Sequence, residues 1–149
     1  MNQINHIRNT LLEKNLTTED TLEGVSIDDI EKIENLFNVK LPKVYRSFLL
    51  SFGKKAGKFA NDVDFFYGEI LLLKEELEEM IFEEGLDFQI PKRAFIFSGY
   101  QGFQYHYFIC DGKNDPEVYR ITDGDKLAKK VAESFSDYLK SMIEEVNYK

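Results

Sequence analysis

Residues 26–53 read SIDDIEKIENLFNVKLPKVYRSFLLSFG, and their spacing decides the architecture of the first half of the chain. Ser26 stands where an N-cap hydroxyl is wanted, with Asp28 and Asp29 in the first turn, where the positive end of a helix favours carboxylates. Ile27, Ile30, Ile33 and Phe37 then recur at helical spacing. A short link, Asn38–Leu41, leads to Pro42, whose missing N–H costs nothing at the first position of a second helix. Tyr45, Phe48, Leu49 and Phe52 give the i, i+3, i+4, i+7 pattern of a buried face. Gly53 follows as a C′ stop. The stretch is a helix-loop-helix with firm punctuation at both ends.

Outward from it, the N-terminal side predicts a helix over residues 2–14, with Ile4, Ile7 and Leu11 on one face, and a polar loop over residues 15–25. The C-terminal side changes period. Val63, Phe65 and Tyr67 alternate as in a strand, with Gly68 as a bulge or turn before Ile70–Leu73. Lys74–Glu84 reads as an acidic helix turning Leu77, Met80 and Ile81 inward. Ala94–Ser98 is a compact apolar strand, Gly99-Tyr-Gln-Gly102 a turn, and Phe103, Tyr105, Tyr107 and Ile109 one face of the next strand. Asp111–Pro116 is a turn cluster before a strand over Glu117–Thr122. Strands joined by such short turns pair antiparallel. From Asp125, Leu127, Val131, Phe135, Tyr138, Met142 and Val146 predict a long closing helix. The sum is an α+β fold in one domain, residues 1–149: a mostly antiparallel sheet packed with the N-terminal helix-loop-helix and a long C-terminal helix.

Composition narrows the function. At 149 residues, 43% hydrophobic and 31% charged, the chain is long and apolar enough to bury a core without a disulfide or structural metal. The single cysteine, Cys110, has no internal partner, and a reducing compartment is the natural expectation. The N-terminus lacks the apolar run of a signal peptide, and no apolar run exceeds four residues, so the expected location is cytoplasmic, with no membrane contact. Asn15-Leu-Thr17 is then a chance glycosylation match. A net charge of −8 opposes direct nucleic-acid binding, which relies on cations neutralising phosphates, and suits solubility or a basic partner. The charge is also segregated: six basic and no acidic residues lie between Lys40 and Asn61, seven acidic and no basic ones between Glu75 and Asp87. These segments are either two faces attracting each other or two recognition surfaces.

Catalytic chemistry finds no constellation. His106 has no Cys or acid at i±2, and Cys110 lies four strand residues further on, about 13 Å away, too far for a Cys–His pair. Asp111–Asp115 puts Lys113 where a calcium loop needs oxygen, and Asp62 with Asp64 has no third ligand nearby in sequence. Gly99-x-x-Gly102 lies between strands and does not open a helix, so it is no phosphate cradle. The expectation is a non-enzyme without cofactor or metal. What remains is surface. Phe65-Phe66-Tyr67 and Tyr100–Phe103 place consecutive aromatics where alternate residues face opposite ways, beside Asp62, Asp64 and Glu69. The candidate partner-binding residues are Asp62, Asp64, Phe66, Glu69, Tyr100, Gln101 and Phe103.

The pattern Ile30-Glu31, Ile33-Glu34, Leu41-Pro42, Tyr45, Phe48, Leu49 and Gly53 resembles the opening of the SUKH superfamily, the domain of fungal cell-wall-synthesis regulators and many bacterial immunity proteins. Ile96–Gly102, the strand through Asp111, Val118–Ile121 and Ser134-Phe-Ser-Asp-Tyr-Leu139 look like its later landmarks, so the resemblance spans about residues 26–139. It implies an α+β domain that binds proteins and lacks catalytic activity. On that footing the expected function is an intracellular immunity protein that binds and neutralises a cognate polymorphic toxin, in particular a nuclease with a basic surface. The alternative from another class is a regulatory scaffold domain like the fungal relatives, and a third is an enzyme of unrecognised type.

Overall fold

The computed structural model describes residues 3–147, with side chains described over 3–144, so Asn2 and the side chain of Val146 lie outside the described residues. The order is α1 (Gln3–Glu13), a 3-10 turn (Glu19–Thr21), β1 (Leu22–Glu23), α2 (Ile27–Phe37), α3 (Lys43–Phe52), β2 (Lys55–Ala56), α4 (Tyr67–Ile70), α5 (Leu73–Glu84), β3 (Ala94–Tyr100), β4 (Gln104–Ile109), β5 (Val118–Thr122), β6 (Lys129–Ala132) and α6 (Phe135–Asn147). β3-β4-β5-β6 form an antiparallel sheet in sequence order, while β1 and β2 pair apart from it. The α+β reading, with the helix pair leading and a helix closing, is the observed fold.

The helix pair forms for the expected reasons. Ser26 Oγ accepts from Asp29 N–H at 3.1 Å, and α2 stops at Asn38, a left-handed residue whose N–H returns to Glu34 O. Glu34 then locks the link: one carboxylate oxygen accepts from Leu41 N–H at 2.7 Å, and the other meets Arg46 Nη1 at 2.8 Å. A carboxylate that satisfies a backbone donor and a guanidinium together fixes the angle between the two helices. Tyr45, Phe48, Leu49 and Phe52 are fully buried. Two details differ from the reading. Ile27 is 56% exposed because it opens α2 ahead of the first buried turn. Gly53 keeps an ordinary φ of −73°, and glycine is needed there because a Cβ would sit 2.5 Å from Leu49 Cα.

Helices cover both faces of the sheet. Phe95, Phe97 and Phe108 meet Tyr45 of α3, and Phe97 and Phe108 also meet Phe135 of α6, with ring centroids 5.1–6.1 Å apart. On the opposite face Leu73 of α5 lies against Gly99, where a Cβ would come within 2.8 Å of Leu73 Cδ2. Gly99 is therefore part of β3, and the turn comprises Gln101, Gly102 and Phe103. A bulge between Ile96 and Ser98 brings Phe97 and Ser98 to the same side, where both approach Tyr138.

One expected strand is absent, and the closing helix begins later than expected. Val63, Phe65 and Tyr67 do not form a strand: only Asp64 makes a single bridge, to Gly99, and Tyr67–Ile70 is a helical turn. Phe65 is wholly buried while Val63 and Tyr67 are half-buried, so the alternation came from a loop dropping one ring into the core. Nor does a helix begin at Asp125. The Asp125 carboxylate accepts from Thr122 N–H at 3.1 Å and closes a turn into β6, and the helix starts after Ser134, whose hydroxyl accepts from Asp137 N–H. Leu127 (76% exposed) and Val131 (39%) matched the helical spacing by coincidence. Asp115 ties the preceding turn to this helix, accepting from Ser136 N–H at 3.0 Å and from its hydroxyl.

Candidate functional site

The Asp64–Gly99 bridge, with N–H to O distances of 2.8 and 2.9 Å in the two directions, joins the two sequence segments expected to form a surface. It brings Asp64 beside α4 and α5. There Asp64, Glu69, Glu76 and Glu79 gather near Tyr105, whose hydroxyl donates to Glu76 Oε1 at 3.5 Å. Burial, then the neighbouring Glu69 charge, raises the Asp64 carboxyl above its ordinary value; burial, then Asp64, raises Glu76. Tyr105 is pushed up to about 12 by burial and by Glu76. Among the described residues none of these four carboxylates takes part in an ion pair. The basic segment instead pairs locally, Lys54 and Lys55 with Glu23 and Arg46 with Glu34, so the segregated charges of the sequence do not neutralise each other.

The remaining expected residues are distributed around this point. Glu69 Oε1 accepts from the N–H groups of Phe65 and Phe66 at 3.2 and 3.3 Å, so it also caps the first turn of α4. Phe66 is half-buried, edge-on to Phe65. Phe66 and Glu69 line one cavity, whereas Asp62 and Tyr100 line a second of about 450 Å³ on the α6 side of the sheet. Gln101 is exposed at the turn with φ +52°, and half-buried Phe103 stacks edge-on against Tyr100 at 5.6 Å. The seven residues thus divide between two cavities, a turn and the Asp64–Gly99 bridge that lies between them. Four residues of this region were missed: Glu76 and Glu79, lost in a run of acids, and the exposed Leu72 (55%), just ahead of α5, and Phe82 (86%), within it. Phe82 falls off the Leu77–Met80–Ile81 stripe, and that offset is its signal.

His106 and Cys110 are quiet. His106 Nδ1 lies 3.3 Å from Tyr138 Oη, and burial, followed by the Arg120 charge, lowers its pKa to about 4. Burial raises the Cys110 thiol to about 12. Among the described residues no three His, Cys, Asp or Glu side chains are placed to hold a metal, and no helix is long and apolar enough to cross a membrane.

His106 gives the fold a pH dependence. The unfolded imidazole takes up its proton near 6.5 and the native one only near 4, so stability falls as the pH drops through that window, by about 3 kcal/mol in full. Asp64 and Glu76, whose pKa values are raised, act in the opposite direction, binding protons more readily in the native state. Urea unfolding at pH 7 and pH 4.5 should show a larger loss in the wild type than in His106→Gln. Equal losses would mean the native imidazole is freely protonated.

A search of curated proteins returns no match to the chain. The sequence pattern of the SMI1 / KNR4 family (SUKH-1) does match, over residues 24–141. That span runs from the glycine after β1, through the locked helix pair and the whole four-stranded sheet, into α6. With that pattern matched over more than half of its length, the chain belongs to the SMI1 / KNR4 family, SUKH-1.

Proposed function

We propose that this protein is an immunity protein that acts in the cytoplasm, binding a cognate toxin and blocking it by protein–protein contact, with no chemistry of its own. The observation that carries the reading is the uncompensated acidic surface formed by Asp64, Glu69, Glu76 and Glu79, flanked by the exposed Phe82 and Leu72. Crowding raises the carboxyls of Asp64 and Glu76, so the group gains stabilisation when cations arrive, and an exposed aromatic ring beside it suits the core of an interface. A nuclease, whose own substrate demands a basic surface, is the partner class with the complementary field. Family membership agrees with the reading, since the resemblance to the SUKH superfamily implies a protein-binding domain of the kind many bacterial immunity proteins carry.

The deciding experiment begins with sequencing of the genes beside this one, followed by co-expression with any large toxin-like protein they encode. Growth rescue and co-purification of a tight complex would support the proposal; unrelieved toxicity without a complex would move the assignment to the regulatory scaffold reading. Within a complex, Glu79→Lys should slow association several-fold at low salt, and the difference should shrink as salt is added. Glu79 is a cleaner probe than Glu69, whose reversal also removes the cap of α4. An association rate indifferent to Glu79→Lys would exclude this surface.

A further inference from the structure

The sheet's α6 face carries a second recognition feature, of opposite polarity. Strand register places Ser98, His106, Arg120 and Lys129 directly opposite one another across β3, β4, β5 and β6, and Tyr100, Gln104 and Thr122 in the next row on the same face. Where α6 ceases to cover these rows lies the cavity of about 450 Å³, walled by Ser98, Tyr100, Gln104, His106, Arg120 and Tyr138. That volume is in the range of small-molecule sites.

Arg120 is the anomaly in this cavity. Its Nε–H is shut off from water with no acceptor, and among the described residues the guanidinium forms no ion pair. A half-buried cation without a counter-ion is costly, and an orphaned N–H adds to the cost. The neighbouring imidazole does not compete for an anion's charge, because Arg120 and burial keep it neutral above about pH 4. Asp62, at the cavity wall, does not pair with the guanidinium. The other lining groups are hydroxyls, an amide and the apolar side chains of Ala60, Val63, Val131 and Met142.

We propose that this cavity is a carboxylate-binding site, in which Arg120 pairs with the anion while Gln104 and the hydroxyls of Ser98 and Tyr100 bond the rest of its polar edge. One fixed positive charge matches a monoanion better than a phosphate dianion, and a planar guanidinium holds a carboxylate through two parallel bonds. Val63 and Met142 receive a short apolar stem, as an amino-acid side chain or a chain terminus would supply. The proposal does not depend on the identity of any toxin.

The test is a ¹⁵N NMR titration of the full chain with N-acetyl-glutamine, which offers a main-chain carboxylate, and with N-acetyl-glutamate α-amide, which offers a side-chain one. Saturable shifts at the Arg120 Nε–H, His106 and Gln104 signals are expected with at least one probe, with a Kd of about 1 mM for a fragment of about a dozen heavy atoms. Which probe saturates identifies the source, terminus or side chain. Arg120→Gln should abolish the response, and Arg120→Lys, which keeps the charge and tests the paired geometry in a conservatively substituted protein, should weaken it about tenfold. No saturation with either probe, saturation by inorganic phosphate alone, or unchanged affinity in Arg120→Lys would overturn the assignment.

Discussion

Gly24→Ala is expected to destabilise the protein by about 3 kcal/mol or more, lowering its melting temperature by roughly 10 °C. The cause is a backbone-to-backbone approach. Just past β1, Val25 N–H donates to Leu49 O at 2.7 Å, pulling the chain against the last turn of α3. A Cβ on Gly24 would lie 1.8 Å from Leu50 O and 2.7 Å from Leu50 C, atoms of a helix that cannot turn aside as a side chain would. Relief requires moving β1 off α3 or bending α3 itself, and α3 carries Tyr45, Phe48 and Phe52 of the core. Gly68→Ala provides the control: an added Cβ there meets nothing within 4 Å, so a change of no more than a few tenths of a kcal/mol is expected. Thermal unfolding monitored by circular dichroism measures both. A Gly24→Ala protein that melts with the wild type would mean that β1 and α3 do not pack as closely as described.

Phe135→Ala should cost about 3–5 kcal/mol, on the scale of buried large-to-small changes. The ring is fully buried and lies within 5.2–6.3 Å of the rings of Tyr45, Phe48, Phe97, Phe108 and Tyr138. It is the point at which α3, the sheet and α6 meet, so no single element can shift to fill the void. Phe82→Ala removes the same ring from an 86% exposed position and should leave stability within about half a kcal/mol. Urea unfolding at constant m-value separates the two; a Phe135→Ala midpoint close to that of Phe82→Ala would show that the core is not organised around this ring.

The parts of the fold legible in the sequence were those with a local physical signature. The helix pair announced itself through the Ser26 cap, the 3.6-residue spacing and Gly53, and β3, β4 and β5 through apolar runs bounded by turn residues. Segments 55–70 and 125–134 were misread because their order is set at long range. A two-residue β2 and a one-residue bridge at Asp64 have no period to detect, and β6, with exposed Lys129, Lys130 and Val131, has no buried face to advertise it. The candidate site followed the same division. The segments holding Asp64 and Tyr100 stood out in the sequence as clusters of aromatics and acids, but their meeting, and with it the part played by Glu76, depends on the Asp64–Gly99 pairing. The Ser98–His106–Arg120 row depends on a bulge whose register no local pattern encodes.

β6 has one more consequence. It is the outermost strand, four residues long, with a register shift against β5 and adjacent lysines at 129 and 130. Shortness, a bulge and positive charge all deter a foreign strand from zipping onto an open margin. The opposite margin is crossed at Gly99 by Asp64. A chain seeking to polymerise by extending this sheet meets an obstacle on each side, which guards against amyloid-like self-templating and leaves association to side chains.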